Sequence, residues 1–169
     1  MKKTFVLILS VTALFLMGNA YALNITPADS VYSGPETSQA AINSILDSYF
    51  DPDLNELYKD NQGGVEVGAL AGSYETTYNG DLSGATIVYN GIGDYIGADA
   101  WMLVKDGNHD PGWYLFNLSD PNPPGDLDQP PGALGWDGQE TLNLSGFWPN
   151  GGAISHISLY GTRSVPEPA

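Results

Sequence analysis

Between Val65 and Tyr160 no apolar or alternating stretch runs past eight positions before a glycine, proline, asparagine or aspartate interrupts it. A buried helix needs its period of about 3.6 residues sustained over roughly ten or more positions, so this region is restricted to short strands joined by turns. The strands expected are Val65 to Leu70, Ser73 to Tyr78, Ala85 to Tyr89, Trp101 to Lys105, Gly112 to Leu118, Glu140 to Leu144 and Ala153 to Tyr160. Asp106-Gly107 marks a hairpin turn between two of them, because both residue types tolerate positive φ. In the last strand, Ile154, His156, Ser158 and Tyr160 alternate with Ser155, Ile157 and Leu159, the pattern of a sheet with a buried face. Strands of this length and spacing predict a mainly β fold, a jelly-roll-like β-sandwich.

Upstream, Leu23 to Gly34 reads as extended or irregular. Pro35 to Tyr49 is the one helical pattern, with Ala41, Ile42, Ile45, Leu46 and Tyr49 at spacings of three and four and Pro35 in its first turn. This helix is expected to pack on an edge or end of the sandwich. Asp51-Pro52-Asp53 stops it, and Leu54, Leu57 and Tyr58 suggest a further short helical turn before Gly63-Gly64. Ser119 to Gly135, rich in proline and aspartate, reads as a long surface loop. The chain therefore divides into a leader, residues 1–22, a single sandwich domain, residues 23–163, and a short tail, residues 164–169.

The leader has the parts of a Sec-type signal peptide: Lys2 and Lys3, an apolar run from Phe5 to Met17, and small residues at Ala20 and Ala22 that fit cleavage after Ala22. The run is short for a permanent membrane span. Secretion or display at the cell surface is the expectation. The formal net charge of −15 becomes −17 once Lys2 and Lys3 leave with the leader. A field of that sign repels phosphate backbones and anionic membranes, which argues against nucleic acid as a partner and suits neutral or cationic polymers or divalent cations. With no cysteine, the domain has neither disulfides nor a thiol nucleophile, and packing alone must hold it.

The tail, Val165-Pro166-Glu167-Pro168-Ala169, resembles the opening of a PEP-CTERM sorting signal. The domain is similar to PEP-CTERM domain-containing proteins in Thr37-Ser38-Gln39-Ala40-Ala41, in Leu103-Val104-Lys105-Asp106-Gly107-Asn108, in Gly112-Trp113-Tyr114-Leu115-Phe116 and in Leu144-Ser145-Gly146-Phe147-Trp148-Pro149. The resemblance implies export, association with an exopolysaccharide matrix, and processing by an exosortase-type protease through Pro166, Glu167 and Pro168 if a full tail exists. The hydrophobic helix and basic cluster that follow the motif in that family do not follow it here. No catalytic residues come with the resemblance.

Four tryptophans offer either core or sugar-stacking surface. Trp101 and Trp113, within strand patterns, are assigned to the core. Trp136 and Trp148, flanked by glycine and proline, are the candidates for exposure and for ligand stacking. Alternation places Trp113 and Leu115 on one face and Tyr114 and Phe116 on the other. Asp106, Asn108 and Asp110 have the alternating oxygen spacing of a calcium loop, echoed by Asp51, Asp53 and Asn55. Pro111 and Asn117 stand where an EF-hand loop carries its glycine and glutamate, so any calcium would need ligands from other loops. His156 is expected to be a hydrogen-bonded strand residue, and neither it nor His109 falls in a zinc or nucleophile motif. The expected function is a non-catalytic secreted or cell-surface protein of the exopolysaccharide matrix, without cofactor, contacting polysaccharide or a surface protein. A calcium-stabilised binding module is the first alternative, and an extracellular glycosidase or esterase the second.

Overall fold

The computed structural model describes residues 21–48, 54–97, 99–106, 108–119 and 132–166. In chain order the elements are β1 (Ala22–Ile25), β2 (Tyr32–Gly34), α1 (Gln39–Leu46), β3 (Asn55–Asn61), β4 (Tyr74–Tyr78), β5 (Ala85–Tyr89), β6 (Tyr95–Ile96), β7 (Trp101–Lys105), β8 (Trp113–Asn117), β9 (Thr141–Leu144), β10 (His156–Gly161) and β11 (Arg163–Ser164). Two sheets make a β-sandwich: sheet A in the order β1-β9-β5-β4 and sheet B in the order β2-β8-β7-β10-β3. β6 and β11 form a small separate ribbon. All pairings within the two sheets are antiparallel except β1 with β9. The chain crosses between the sheets repeatedly, the connectivity of a jelly-roll-like sandwich.

The alternation of side chains across each strand sorts the apolar residues into two layers. Ile87, Leu142 and Leu144 of sheet A meet Met102, Val104, Phe116, Ile157 and Leu159 of sheet B in the core between the sheets. The other face of sheet B supplies Trp101, Leu103, Trp113, Leu115 and Tyr160 to a second cluster closed by Ile42 and Leu46 of α1. The helix thus covers a sheet face, which is why every residue of β7 and β10 is buried. Trp113 and Leu115 lie on the helix side and Phe116 in the inter-sheet core, as the alternation predicts.

Three expectations are corrected and a fourth is sharpened. α1 starts at Gln39, not at Pro35, because the Ser38 hydroxyl accepts the Ala41 N–H as an N-cap, while Glu36 is drawn away to accept the Trp113 indole N–H at 3.0 Å. Leu54, Leu57 and Tyr58 do not form a helical turn. They belong to or border β3, where a register shift opposite Leu159 and Tyr160 makes Leu57 an extra residue, so that Leu57 and Tyr58 both turn inward and mimic a helical spacing. Val65 to Leu70 is not a strand: positive φ at Gly63 and Gly68 breaks it, leaving one bridge between Val67 and Lys59. Leu23 to Gly34, read as extended or irregular, is extended at both ends, where it contributes an edge strand to each sheet. Most of the Ser119 to Gly135 loop lies outside the described residues, as do the leader through residue 20, Asp51, Asp53, Glu167 and Pro168; Pro166 is exposed.

Tyr74 fastens the ribbon to the sandwich. Its buried hydroxyl donates to the Gly138 carbonyl at 2.7 Å and accepts the Ile96 N–H at 2.9 Å. Gly138 has φ +85°, and a Cβ there would collide with the Ile96 carbonyl, so the contact requires glycine.

Candidate functional site

β3 and β4 are edge strands of opposite sheets, and the inter-sheet layer becomes polar where they face each other. Inward positions that carry leucine and isoleucine elsewhere here carry Tyr58 and Asp60 on β3 and Thr76 and Tyr78 on β4. Glu66, from the bent segment between them, completes the group. The Tyr58 hydroxyl donates to Glu66 Oε1 at 2.9 Å and accepts from the Thr76 hydroxyl at 2.6 Å. The Thr76 N–H also donates to Glu66 Oε1, at 3.2 Å, and the Tyr78 hydroxyl donates to the Asp60 carbonyl at 3.3 Å. These groups border a cleft of about 610 Å3 lined by Asp60, Glu66, Tyr74, Glu75, Thr76 and Asn90 among others.

The electrostatics of the cleft are uneven. Asp60 is buried, and burial raises its carboxyl above the ordinary range; the Tyr78 hydroxyl near the carboxylate lowers it, and the Glu66 charge raises it further. Burial likewise raises the Tyr58 and Tyr78 phenols, so both stay protonated donors at neutral pH. Glu66 accepts two hydrogen bonds on one oxygen, which orients its carboxylate toward the cleft. A protonatable acid, an oriented carboxylate, hydroxyls and the exposed Asn90 amide together present both donors and acceptors, the chemistry that recognises polyols.

The tryptophans expected to be exposed are buried. Trp136 is 1% exposed, stacks near Tyr74 and donates its indole N–H to the Glu140 carbonyl at 2.7 Å. Trp148 is 5% exposed and donates to the Pro111 carbonyl at 2.7 Å. The physical reason is the same for both: a backbone carbonyl satisfies the one polar atom, and the loop turns the ring inward, through positive φ at Gly135 and Gly138 for Trp136 and at Trp148 itself. Neither ring offers a free face for a sugar.

Trp148 does meet the proposed calcium loop. A recess of about 140 Å3 is lined by Trp148, Tyr114, His109, Asp110 and Pro111 with two further residues. Asp106 is buried beside it and organises the loop: Oδ1 accepts the Asn108 N–H at 3.0 Å, and Oδ2 accepts the Ala153 N–H at 3.0 Å and lies 2.8 Å from His109 Nδ1. Asp106 therefore acts as a latch between two loops. Among the described residues no group of three or more His, Cys, Asp or Glu side chains converges to hold a metal. His156, expected to be hydrogen-bonded, is buried with no partner on Nε2 among the described residues.

Neither the strand β3 nor Glu66 was recognised as site-forming from sequence, because the bulge at Leu57 hid the alternation that turns Asp60 inward. The usable signal was an acid at strand parity with a core tyrosine, Tyr58 and Asp60, followed by the glycine break that returns Glu66. The fold defines the class, a two-sheet β-sandwich with an acidic cleft between opposed edge strands. No family model matches the chain, and no curated protein or solved structure matches it.

Proposed function

We propose that this is a non-catalytic secreted or cell-surface protein of an exopolysaccharide matrix, exported by a Sec-type signal, whose cleft between β3 and β4 contacts neutral glycan. The observation that carries the reading is the convergence of Asp60, Glu66, Glu75, Thr76 and Asn90 on one cleft of about 610 Å3, a volume suited to one or two sugar rings. The net charge supports a neutral rather than an anionic polymer. The resemblance of the tail and domain to PEP-CTERM proteins supports the location, with an exosortase-type protease as the processing partner. Affinity electrophoresis through gels containing neutral polysaccharides tests it. Retardation should be lost in a Glu75→Gln, Asn90→Ala double variant, both sites being exposed; migration unaffected by every polysaccharide removes the reading.

The raised Asp60 carboxyl beside the oriented Glu66 carboxylate favours a second reading, glycoside hydrolysis, in which Asp60 would protonate the leaving oxygen. Release of reducing ends from oligosaccharides, abolished in Asp60→Asn, would support it. Prolonged incubation without product would eliminate it.

A further inference from the structure

Only three lysines and arginines, Lys59, Lys105 and Arg163, lie beyond the leader, against twenty carboxylates. Arg163 pairs with Asp94. Lys59 and Lys105 form no ion pair among the described residues, although carboxylates outnumber them so heavily. Both stand on the outer face of sheet B, Lys59 beside α1 and Lys105 on the strand between β8 and β10. β10 runs between their strands: Lys105 is directly opposite His156 on β7, and Lys59 is opposite Ser158 on β3. Directly opposed side chains in a sheet have Cβ atoms about 5 Å apart and diagonal ones about 7–8 Å apart, so both ammonium stems flank the His156 ring. The proximity is felt electrostatically, because both lysines act to disfavour the imidazolium.

Lys105 is buried at 8% exposure and His156 at 9%, and His156 Nε2 has no partner among the described residues. A buried ring nitrogen without a hydrogen bond is destabilising, and two lysines stand near it on the same sheet face. Their convergence on three adjacent strands is the arrangement that an oxyanion would complete, accepting from both ammonium groups and from an Nε2–H. Lys59 also lines a cavity of about 260 Å3 alongside α1, together with Asp47 and Glu56, neither of which forms an ion pair with it.

We infer that the outer face of sheet B carries an oxyanion site, formed by Lys105, His156 and Lys59, that binds the carboxylate or sulfate group of an acidic ligand. It is separate from the β3–β4 cleft, which faces the inter-sheet layer, and stands or falls independently of the glycan reading. The probes are galacturonate, polygalacturonate, inorganic sulfate and neutral dextran, titrated into the purified protein by calorimetry, with the His156 imidazole followed by NMR.

The expected result is saturable binding of at least one anionic probe with a shift of the His156 ring signals, a shift that dextran does not produce whether or not it binds in the β3–β4 cleft. Lys105→Met keeps the buried stem, and with Lys59→Met it should weaken binding at least ~10-fold for each lost charge-assisted contact, at unchanged folding by circular dichroism. Polygalacturonate far tighter than galacturonate assigns the site to an acidic polymer; equal affinities assign it to a free small acid. Absence of binding by all three anions overturns the site, as does binding that is undiminished in a folded Lys105→Met protein. Should Lys105→Met not fold, Lys59→Met with the His156 signals decides, since an anion bound elsewhere would leave that ring unmoved.

Discussion

Replacing Asp106 with alanine should destabilise the domain by about 3 kcal/mol, because its carboxylate holds two backbone N–H groups, those of Asn108 and Ala153, in a buried setting. A hydrogen bond to a charged acceptor contributes about 1.5–3 kcal/mol; one of the two donors is on an exposed loop residue and recovers water when freed, which sets the total near the lower end of the sum. Asp106→Asn retains one carbonyl oxygen and should cost roughly half as much. His109→Ala should cost under about 1 kcal/mol, since that side chain is largely solvated and an exposed pair contributes little. The assay is urea denaturation followed by tryptophan fluorescence, read as a shift in midpoint at constant slope, with a matching fall in Tm of about 10 °C for alanine. Adding a chelator to the wild-type protein should leave the midpoint in place. A cost below about 1 kcal/mol for Asp106→Ala would refute the latch, and a chelator effect on wild type comparable to that of the substitution would restore calcium as the loop's organiser.

Tyr74→Phe should cost about 1–3 kcal/mol by calorimetric or urea unfolding, because it strips a partner from the buried Ile96 N–H and the Gly138 carbonyl together. Burial, aided by Lys59 and Lys105, lowers His156 from 6.5 to about 4. The unfolded chain takes up this proton below about pH 6.5 and the folded chain resists until about pH 4, so the stability present above pH 6.5 is lost as pH falls through that window, by roughly 3 kcal/mol at most. His156→Gln should flatten this acid limb in unfolding midpoints taken from pH 7 to pH 4. Asp60 has the opposite sign: its folded carboxyl is raised, so ionisation at neutral pH opposes folding, and Asp60→Asn should raise the urea midpoint at pH 7. An unchanged or lower midpoint would show that the ionised form of Asp60 is held by contacts stronger than its desolvation.

The strands bounded on both sides by turn residues were legible in the sequence. Ala85–Tyr89 and Trp101–Lys105 appear with the expected limits, because each is flanked by turn residues and buries a regular set of apolar side chains. What resisted reading was structure decided by partners distant in the chain. β1 and β2 are short and weakly patterned, and they become strands only because β9 and β8 present open edges to them. The aromatic residues were misplaced for a related reason: Trp136 and Trp148 sit among turn residues, yet the carbonyls of Glu140 and Pro111 that admit them to the interior are fixed by the tertiary fold. The cleft was hidden by a single bulge, since one extra residue at Leu57 reverses the parity from which an inward Asp60 would have been inferred.

The position of β10 has a bearing on the order in which such a chain folds. Sheet B is keyed by a strand that ends at Gly161, lying between β7 and β3, so β3 has no partner in its sheet until β10 has been made. Sheet A is delayed in the same way, because β1 pairs only with β9. A chain with this wiring cannot close either layer from its N-terminal part alone and closes them through contacts of high sequence separation that form slowly. Until the segments from β9 onward are present, β1 and β3 stand unpaired and both layers of the sandwich stay open.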